Sequence, residues 1–98
     1  MAGPVLRFHP AATAEVEAAR DWYAQRSLVA AEVFLKELDY AARQVVESPQ
    51  RWPRYLGGFR RYVLPRFPFT LIYRVREDVA EIIAVAHAKR KPGYWKER

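Results

Sequence analysis

FTLIYRVREDVAEIIAVAHA, residues 69–88, decides the fold, because it is dense in the β-branched and aromatic residues that favour strands. We predict two strands here, Phe69–Arg76 and Val79–Ala88, joined by a tight turn at Glu77 and Asp78. The first strand alternates between two chemically different faces, so we expect helices to cover one face while arginines project from the other. The covered face holds Phe69, Leu71, Tyr73 and Val75, and the other holds Thr70, Ile72, Arg74 and Arg76.

Two amphipathic helices are predicted upstream, because apolar residues recur there at the spacing of one helical face. A short polar break with the candidate N-cap Ser27 separates them, and Ser48-Pro49 ends the second helix. Such a short link predicts an antiparallel helical hairpin. The periodic residues are Ala12, Val16, Ala19 and Tyr23 in the first helix, and Phe34, Leu38, Ala41 and Val45 in the second.

Two further strands flank these helices. Val5–Phe8 is a short β-like stretch ended by Pro10, and Arg60–Leu64 follows a segment, PQRWPRYLGGF at residues 49–59, whose Pro and Gly content predicts a loop. The order of elements predicts the α+β class, with an N-terminal strand and an antiparallel helical hairpin packed on a C-terminal antiparallel sheet. At 98 residues we expect one domain spanning the chain.

Composition narrows the classes of function. The absence of cysteine rules out disulfides and thiolate zinc sites, and with only His9 and His87 as imidazoles we expect no metal and no cofactor. No apolar run approaches the length of a bilayer span and the N-terminus does not resemble a signal peptide, so we expect a cytoplasmic protein without a membrane partner. Motifs for nucleotide binding, zinc proteolysis and serine hydrolysis are also absent.

Charge is distributed unevenly along the chain. Residues 1–49 hold five Lys/Arg and seven Asp/Glu, whereas residues 50–98 hold twelve and four, which favours a phosphate-rich or acidic partner for the second half. Glu15 and Glu17 are predicted to lie on a solvated helix face, without an acid–base role. The basic residues could converge on one exposed sheet face and bind a polyanion, or they could simply keep that face solvated and block edge pairing. They include Arg60, Arg61, Arg66, Arg74, Arg76, Lys89, Arg90 and Lys91.

Three residues near the end of the chain have two interpretations each. His87 shares alternation with Glu81, Ile83 and Val85 and is either a half-buried residue at the end of the sheet or a proton donor or acceptor near a phosphate. Tyr94 could act in proton transfer if arginines lowered its pKa, or it could fold back with Trp95 over the edge of the core. Trp95 itself could stack on an unpaired base.

The chain resembles a known family. The residues WY in the first helix and SP after the second, followed by RRYVLPRFPFTLIYRV and AEIIAVAHAKRKPGYW, resemble the RelE/ParE superfamily of type II toxin–antitoxin toxins over nearly the whole sequence. The resemblance implies a helical hairpin on an antiparallel sheet and a cognate antitoxin whose C-terminal segment wraps the toxin. We expect the antitoxin to contact Trp22, Tyr23 and Phe34 on the helices, and an open sheet edge.

The superfamily contains two activities. By resemblance, a RelE-like member would cleave mRNA on the ribosome, with Arg60, Arg66, His87 and Tyr94 as catalytic candidates, whereas a ParE-like member would inhibit DNA gyrase by binding. The nuclease branch carries lysines before the strand FTLIYRV, and this chain has no lysine between Lys36 and Lys89, which weakens the cleavage hypothesis. The forms YRV and AVAHAKR resemble the ParE-like branch more closely, so gyrase inhibition is favoured, with ribosome-dependent cleavage as the alternative. Target binding would then use Arg61, Arg74, Arg76, Lys89, Arg90, Lys91 and Trp95. A third hypothesis is an inert module that only sequesters an acidic protein.

Overall fold

A computed structural model describes residues 4–98 as two helices and a five-stranded mixed sheet. The helical hairpin and the three main strands confirm the predicted α+β architecture. The elements in chain order are β1 (Val5–Phe8), α1 (Pro10–Ala24), α2 (Leu28–Glu47), β2 (Arg54–Tyr55), β3 (Phe59–Val63), β4 (Phe69–Arg76) and β5 (Val79–His87).

Side-chain caps set the start of each helix. His9 occupies the N-cap of α1, where its Nδ1 accepts a hydrogen bond from the Ala11 N–H at 3.0 Å, and Pro10 lies in the first turn. The predicted N-cap Ser27 begins α2, and its hydroxyl accepts from the Ala30 N–H at 3.2 Å. These caps satisfy N–H groups that have no partner within their own helix.

The strand order is β1-β5-β4-β3-β2, and it corrects two predictions. β1 lies parallel to β5 at the sheet edge, so the sheet is mixed rather than purely antiparallel. The predicted loop at residues 49–59 contains the short strand β2, which pairs with the beginning of β3. β3 runs from Phe59 to Val63, and β5 ends at His87, each within a residue of the predicted boundary.

The main core lies between the helices and the sheet. α2 contributes four buried residues at helical spacing, and β4 contributes Leu71 and Tyr73, as the sequence periodicity predicts. The Tyr73 hydroxyl donates to the carbonyl of Pro49, which ties the loop after α2 to the centre of the sheet. The buried residues of α2 at this spacing are Phe34, Leu38, Ala41 and Val45.

A β-bulge shifts the register in which β5 pairs with β4. Pairing with β4 shifts between Ile72 and Tyr73, so Ile82 and Val85 face the helices while Ile83 and Ala84 pack on the opposite side. The bulge inserts one extra residue and therefore interrupts strict alternation. The prediction that Ile83 and Val85 share a face was wrong for this reason.

The sheet face opposite the helices, called the outer face below, is not bare. A second cluster of buried residues covers it, formed by strand residues and by Trp95 of the C-terminal segment, residues 88–98. The prediction that this face mainly presents arginines is therefore only partly right: Arg74 lies there beside Glu81, but the centre is apolar. The strand residues of the cluster are Ile72, Ile83, Ala84 and Ala86.

Phe34 is the most informative test of this packing. It is fully buried, so Phe34→Ala is expected to lower the free energy of unfolding by about 3–5 kcal/mol through lost contacts and a cavity. The neighbouring Leu35 is 37% exposed, and Leu35→Ala is the matched control, with an expected loss of about 1 kcal/mol or less. Urea denaturation of both variants measures the difference. Equal losses would contradict the assignment of Phe34 to the core.

Candidate functional site

A groove runs between α1 and the ends of β4 and β5, and it is called the α1 groove below. It encloses about 470 Å³ and its lining is mostly apolar, with basic residues at one end. Clefts of this kind are typical of binding sites for an apolar group flanked by a charged one. The lining residues are Glu15, Ala18, Ala19, Trp22, Tyr23, Pro68, Phe69, Val85, His87, Lys89 and Arg90.

The aromatic residues of α1 differ in their availability to a partner. Trp22 is 52% exposed, and the guanidinium of Arg26 stacks 3.5 Å from its ring centroid. Tyr23 is half-buried, contacts Phe67 edge-on at 5.1 Å and has a pKa raised by burial. Trp22 is thus the most accessible aromatic residue of the groove. Phe34, which we predicted as an antitoxin contact, is fully buried. It packs against the Tyr23 ring and does not reach the surface of the groove.

Glu15 is the polar centre of this region. Its carboxylate accepts hydrogen bonds from the Val85 N–H at 2.9 Å, the Tyr94 hydroxyl at 2.7 Å and the Arg98 guanidinium at 3.0 Å. Arg90 adds an ion pair at 3.2 Å. One side chain of α1 therefore joins the helix to β5 and to the C-terminal segment.

The prediction that Glu15 lies on a solvated helix face was wrong, whereas Glu17 is exposed as expected. Burial by itself would raise the pKa of Glu15, but hydrogen bonds from Arg98, Tyr94 and the Val85 N–H outweigh it and lower the pKa below the ordinary 4.5. Glu15 is therefore a charged carboxylate at neutral pH, held by fixed donors.

The C-terminal segment folds back on the sheet through its two aromatic rings. Trp95 is 2% exposed and packs in the outer-face cluster, so it has no free ring face for a base, contrary to one of our interpretations. Tyr94 contacts Trp95 edge-on at 5.2 Å, and the Arg90 guanidinium lies 3.6 Å from its ring centroid. The interpretation that both rings fold back over the core edge is the one the structure shows.

Tyr94 does not have the lowered pKa that proton transfer would need. Burial, and then the hydrogen bond and negative charge of Glu15, raise its pKa to about 12, and the nearby arginines only partly oppose this. At neutral pH the phenol is protonated and donates to a carboxylate. This arrangement suits a structural contact better than acid–base chemistry.

Comparison with known proteins identifies the family. The family described as ParE toxin of type II toxin-antitoxin system, parDE, matches residues 6–92. This chain belongs to the ParE toxin family. Among solved structures, this ParE-like toxin is similar to a chain described as the chromosomal ParDE TA system from P. aeruginosa, with a TM-score of 0.65 and 25% sequence identity. That alignment covers 88% of this chain and 97% of the other. A search of curated proteins gave no significant match.

Two of the predicted nuclease residues of this ParE-like toxin have structural contacts elsewhere. Arg60 donates to the carbonyl of Trp52 at 2.7 Å and fixes the loop after α2. Arg66 donates to the buried carboxylate of Glu37 on α2, through its backbone N–H at 3.1 Å and its side chain at 3.3 Å. The structure therefore does not bring Arg60 and Arg66 into one site with Tyr94.

His87 lies at the end of β5, where it lines the α1 groove and also borders the outer face. Its ring contacts Phe69 edge-on at 5.0 Å, and its Nδ1 accepts from the Lys89 N–H at 3.0 Å. In the neutral ring the proton is therefore on Nε2, which remains a donor. The bulge lies before Val85, so His87 shares a side with Val85 as the alternation predicted, but not with Ile83.

The remaining basic residues of the ParE-like toxin divide between two surfaces. Arg61 and Arg74 lie on the outer face, where Arg74 pairs with Glu81 at 3.3 Å and, with Arg76, lines a shallow pocket. Lys89, Arg90 and Lys91 follow β5 and are exposed. The basic residues therefore do not form one continuous face, and Arg60 and Arg66 are bound elsewhere.

Sequence reasoning missed Glu15 although a signal was present. Glu15 follows Ala12 by three positions and precedes Ala19 by four, so it shares their buried helical face. A carboxylate on such a face needs fixed donors. The C-terminal arginine Arg98, which pairs with it at 3.0 Å, was not predicted either, and no local pattern links two residues this far apart.

Two findings concern ligands and membranes. Within residues 4–98 no cluster of three or more His, Asp or Glu side chains could hold a metal ion. None of the helices in that part of the chain is long and apolar enough to cross a bilayer.

Glu15→Gln tests the polar centre. We expect a loss of about 2 kcal/mol in the free energy of unfolding at pH 7, because the carboxylate that receives Arg98, Arg90 and Tyr94 becomes a neutral amide. Urea denaturation measures this loss, and Glu17→Gln on the exposed face is the matched control, with little change expected.

The pH dependence of the free energy of unfolding has a defined sign. The pKa of Glu15 is lower in the folded state than its ordinary value. The stability that its charged form contributes is therefore complete above pH 4.5 and is lost as the pH falls through the lower folded-state pKa. The unsubstituted chain should therefore lose stability below pH 4.5 more steeply than Glu15→Gln. Parallel pH profiles would contradict the role of Glu15.

Proposed function

We propose that this chain is a toxin that inhibits DNA gyrase by binding, that it acts in the cytoplasm as one domain, and that a cognate antitoxin neutralises it. Membership of the ParE toxin family over residues 6–92 supports a binding toxin. The observation that carries the choice against RNA cleavage is the Tyr94 phenol, which donates to Glu15 at 2.7 Å and has a pKa of about 12.

A general acid or base works best when its pKa lies near the operating pH and when it can reach the reacting group. Tyr94 meets neither condition, because its hydroxyl is engaged by Glu15 and its pKa is raised. Arg60 and Arg66 are held by other elements and supply no cations beside it. Inhibition by binding needs no such assembly, since shape and charge complementarity suffice.

The α1 groove is the proposed antitoxin site. Trp22 and Tyr23 form its apolar side and Lys89 and Arg90 its basic end, a combination suited to an amphipathic peptide with carboxylates beside its apolar residues. Among residues 4–98, β1 pairs with β5 alone, so its other edge offers backbone groups that an added strand could use. Together they provide the hydrophobic groove and the open edge expected for such a partner.

Two assays on the purified chain test the target. We expect inhibition of gyrase supercoiling and no codon-positioned cleavage of mRNA on programmed ribosomes. Tyr94→Phe is informative, because it removes the hydroxyl but keeps the ring, and inhibition of gyrase should persist in this variant. Ribosome-dependent cleavage that disappears in Tyr94→Phe would contradict the proposal. Inactivity in both assays would instead indicate an inert interaction module.

Trp22→Ala tests the antitoxin site. We expect it to weaken antitoxin binding by about 2 kcal/mol, because exposed aromatic residues in apolar grooves are frequent hot spots. The matched control is Tyr40→Ala on α2, which is 59% exposed and is not among the residues lining the groove. Isothermal titration calorimetry with the antitoxin compares the variants. Similar losses for both would show that the antitoxin does not select the α1 groove.

A further inference from the structure

Glu37 is a buried carboxylate that lies outside the lining of the α1 groove. It belongs to α2, is 8% exposed and accepts two hydrogen bonds from Arg66, one from the backbone N–H at 3.1 Å and one from Nε at 3.3 Å. A buried carboxylate is costly to desolvate, and the Arg66 side chain is 71% exposed, so the ion pair by itself gives little net stability. The hydrogen bond to the backbone N–H is therefore the more informative of the two contacts.

Arg66 belongs to the turn between β3 and β4, residues 64–68, which is called the β3–β4 turn below. Its sequence, LPRFP, has proline at the second and the last position, and proline has no backbone N–H to donate. The carbonyl of Pro68 accepts from the Ala88 N–H at 2.8 Å, which fixes the end of the turn beside β5. Within residues 4–98, both hydrogen bonds that Arg66 donates go to Glu37. A side chain of α2 thus holds the middle of the turn.

The β3–β4 turn shapes part of the α1 groove. The ring of Phe67 packs edge-on against Tyr23 at 5.1 Å and against Phe34 at 5.3 Å. Tyr23, Pro68 and Phe69 line the groove. A displacement of the turn would therefore move two lining residues directly and would change the packing of the third.

We propose that Glu37 is a positioning residue of the α1 groove, because it holds the β3–β4 turn where the groove has the shape that binds its partner. This role rests on the proposed function, in which the antitoxin occupies the groove. Glu37 is not among the lining residues, so its effect on binding is transmitted through the turn. Stability alone does not require a carboxylate here, since an apolar side chain of similar size can often replace a buried charge without loss.

Glu37→Leu and Glu37→Gln separate positioning from stability. Leucine fills a similar volume but offers no acceptor, whereas glutamine keeps one oxygen for the Arg66 N–H. We expect Glu37→Leu to weaken antitoxin binding about tenfold through the loss of this hydrogen bond, and Glu37→Gln to recover most of the affinity. Isothermal titration calorimetry measures the affinity, at a temperature where circular dichroism shows each variant to be folded.

Two control variants on α2 exclude general effects of charge and stability. Glu32→Leu makes the same chemical change at an exposed position and should leave the affinity unchanged. Val45→Ala opens a cavity in the core about 12 Å along the helix axis from Glu37, and it should lower stability without weakening binding by the folded chain. A loss of affinity in Val45→Ala equal to that in Glu37→Leu would overturn the positioning role.

The position of the β3–β4 turn can also be followed without a partner. In ¹H–¹⁵N NMR spectra we expect Glu37→Leu to shift the amide resonances of Arg66 and Phe69, because the turn loses its acceptor, and Glu37→Gln to shift them less. Unchanged resonances would contradict the proposal. Binding that is weakened by Trp22→Ala but not by Glu37→Leu would also overturn it and leave the proposed antitoxin site intact, whereas binding that Trp22→Ala does not weaken would overturn the site itself.

Discussion

The hydrogen bonds of the Glu15 carboxylate fix the arrangement of α1, β5 and the C-terminal segment. It lies where α1 crosses β5 and accepts hydrogen bonds from a backbone N–H, a phenol and a guanidinium. Because charged hydrogen bonds in a partly buried setting are strong, the C-terminal segment has a defined position instead of trailing in solvent. The placement of Tyr94, and of Trp95 on the outer face, follows from this contact.

Arg90 borders both sides of the sheet at the end of β5. It lines the α1 groove and also a small pocket beside Trp95 on the outer face, pairs with Glu15 and covers the Tyr94 ring. A partner on either side of the sheet therefore contacts the same polar network. A shared residue of this kind allows occupation of one surface to alter the electrostatics of the other.

Most of the fold could be predicted from the sequence, because hydrophobic periodicity and strand composition are local signals. The helices, the main strands and the Ser27 cap were found in this way. The bulge in β5, the parallel pairing of β1 and the burial of Trp95 depend on contacts between distant residues, which periodicity does not record. For the same reason the kinds of residue in the site could be predicted, but not which of them lie together. Arg66 pairs with Glu37 on α2, and the role of Glu15 was not predicted.

The parallel pairing of β1 has a consequence for biosynthesis. Val5 is hydrogen-bonded into the sheet opposite Val79, so β1 has no partner in the sheet until β5 has been translated. Pairings between residues so far apart form slowly, since a long loop must close first. The nascent chain therefore carries an unpaired β1 while both helices and strands β2, β3 and β4 are translated, and the sheet is completed only after β5 has emerged.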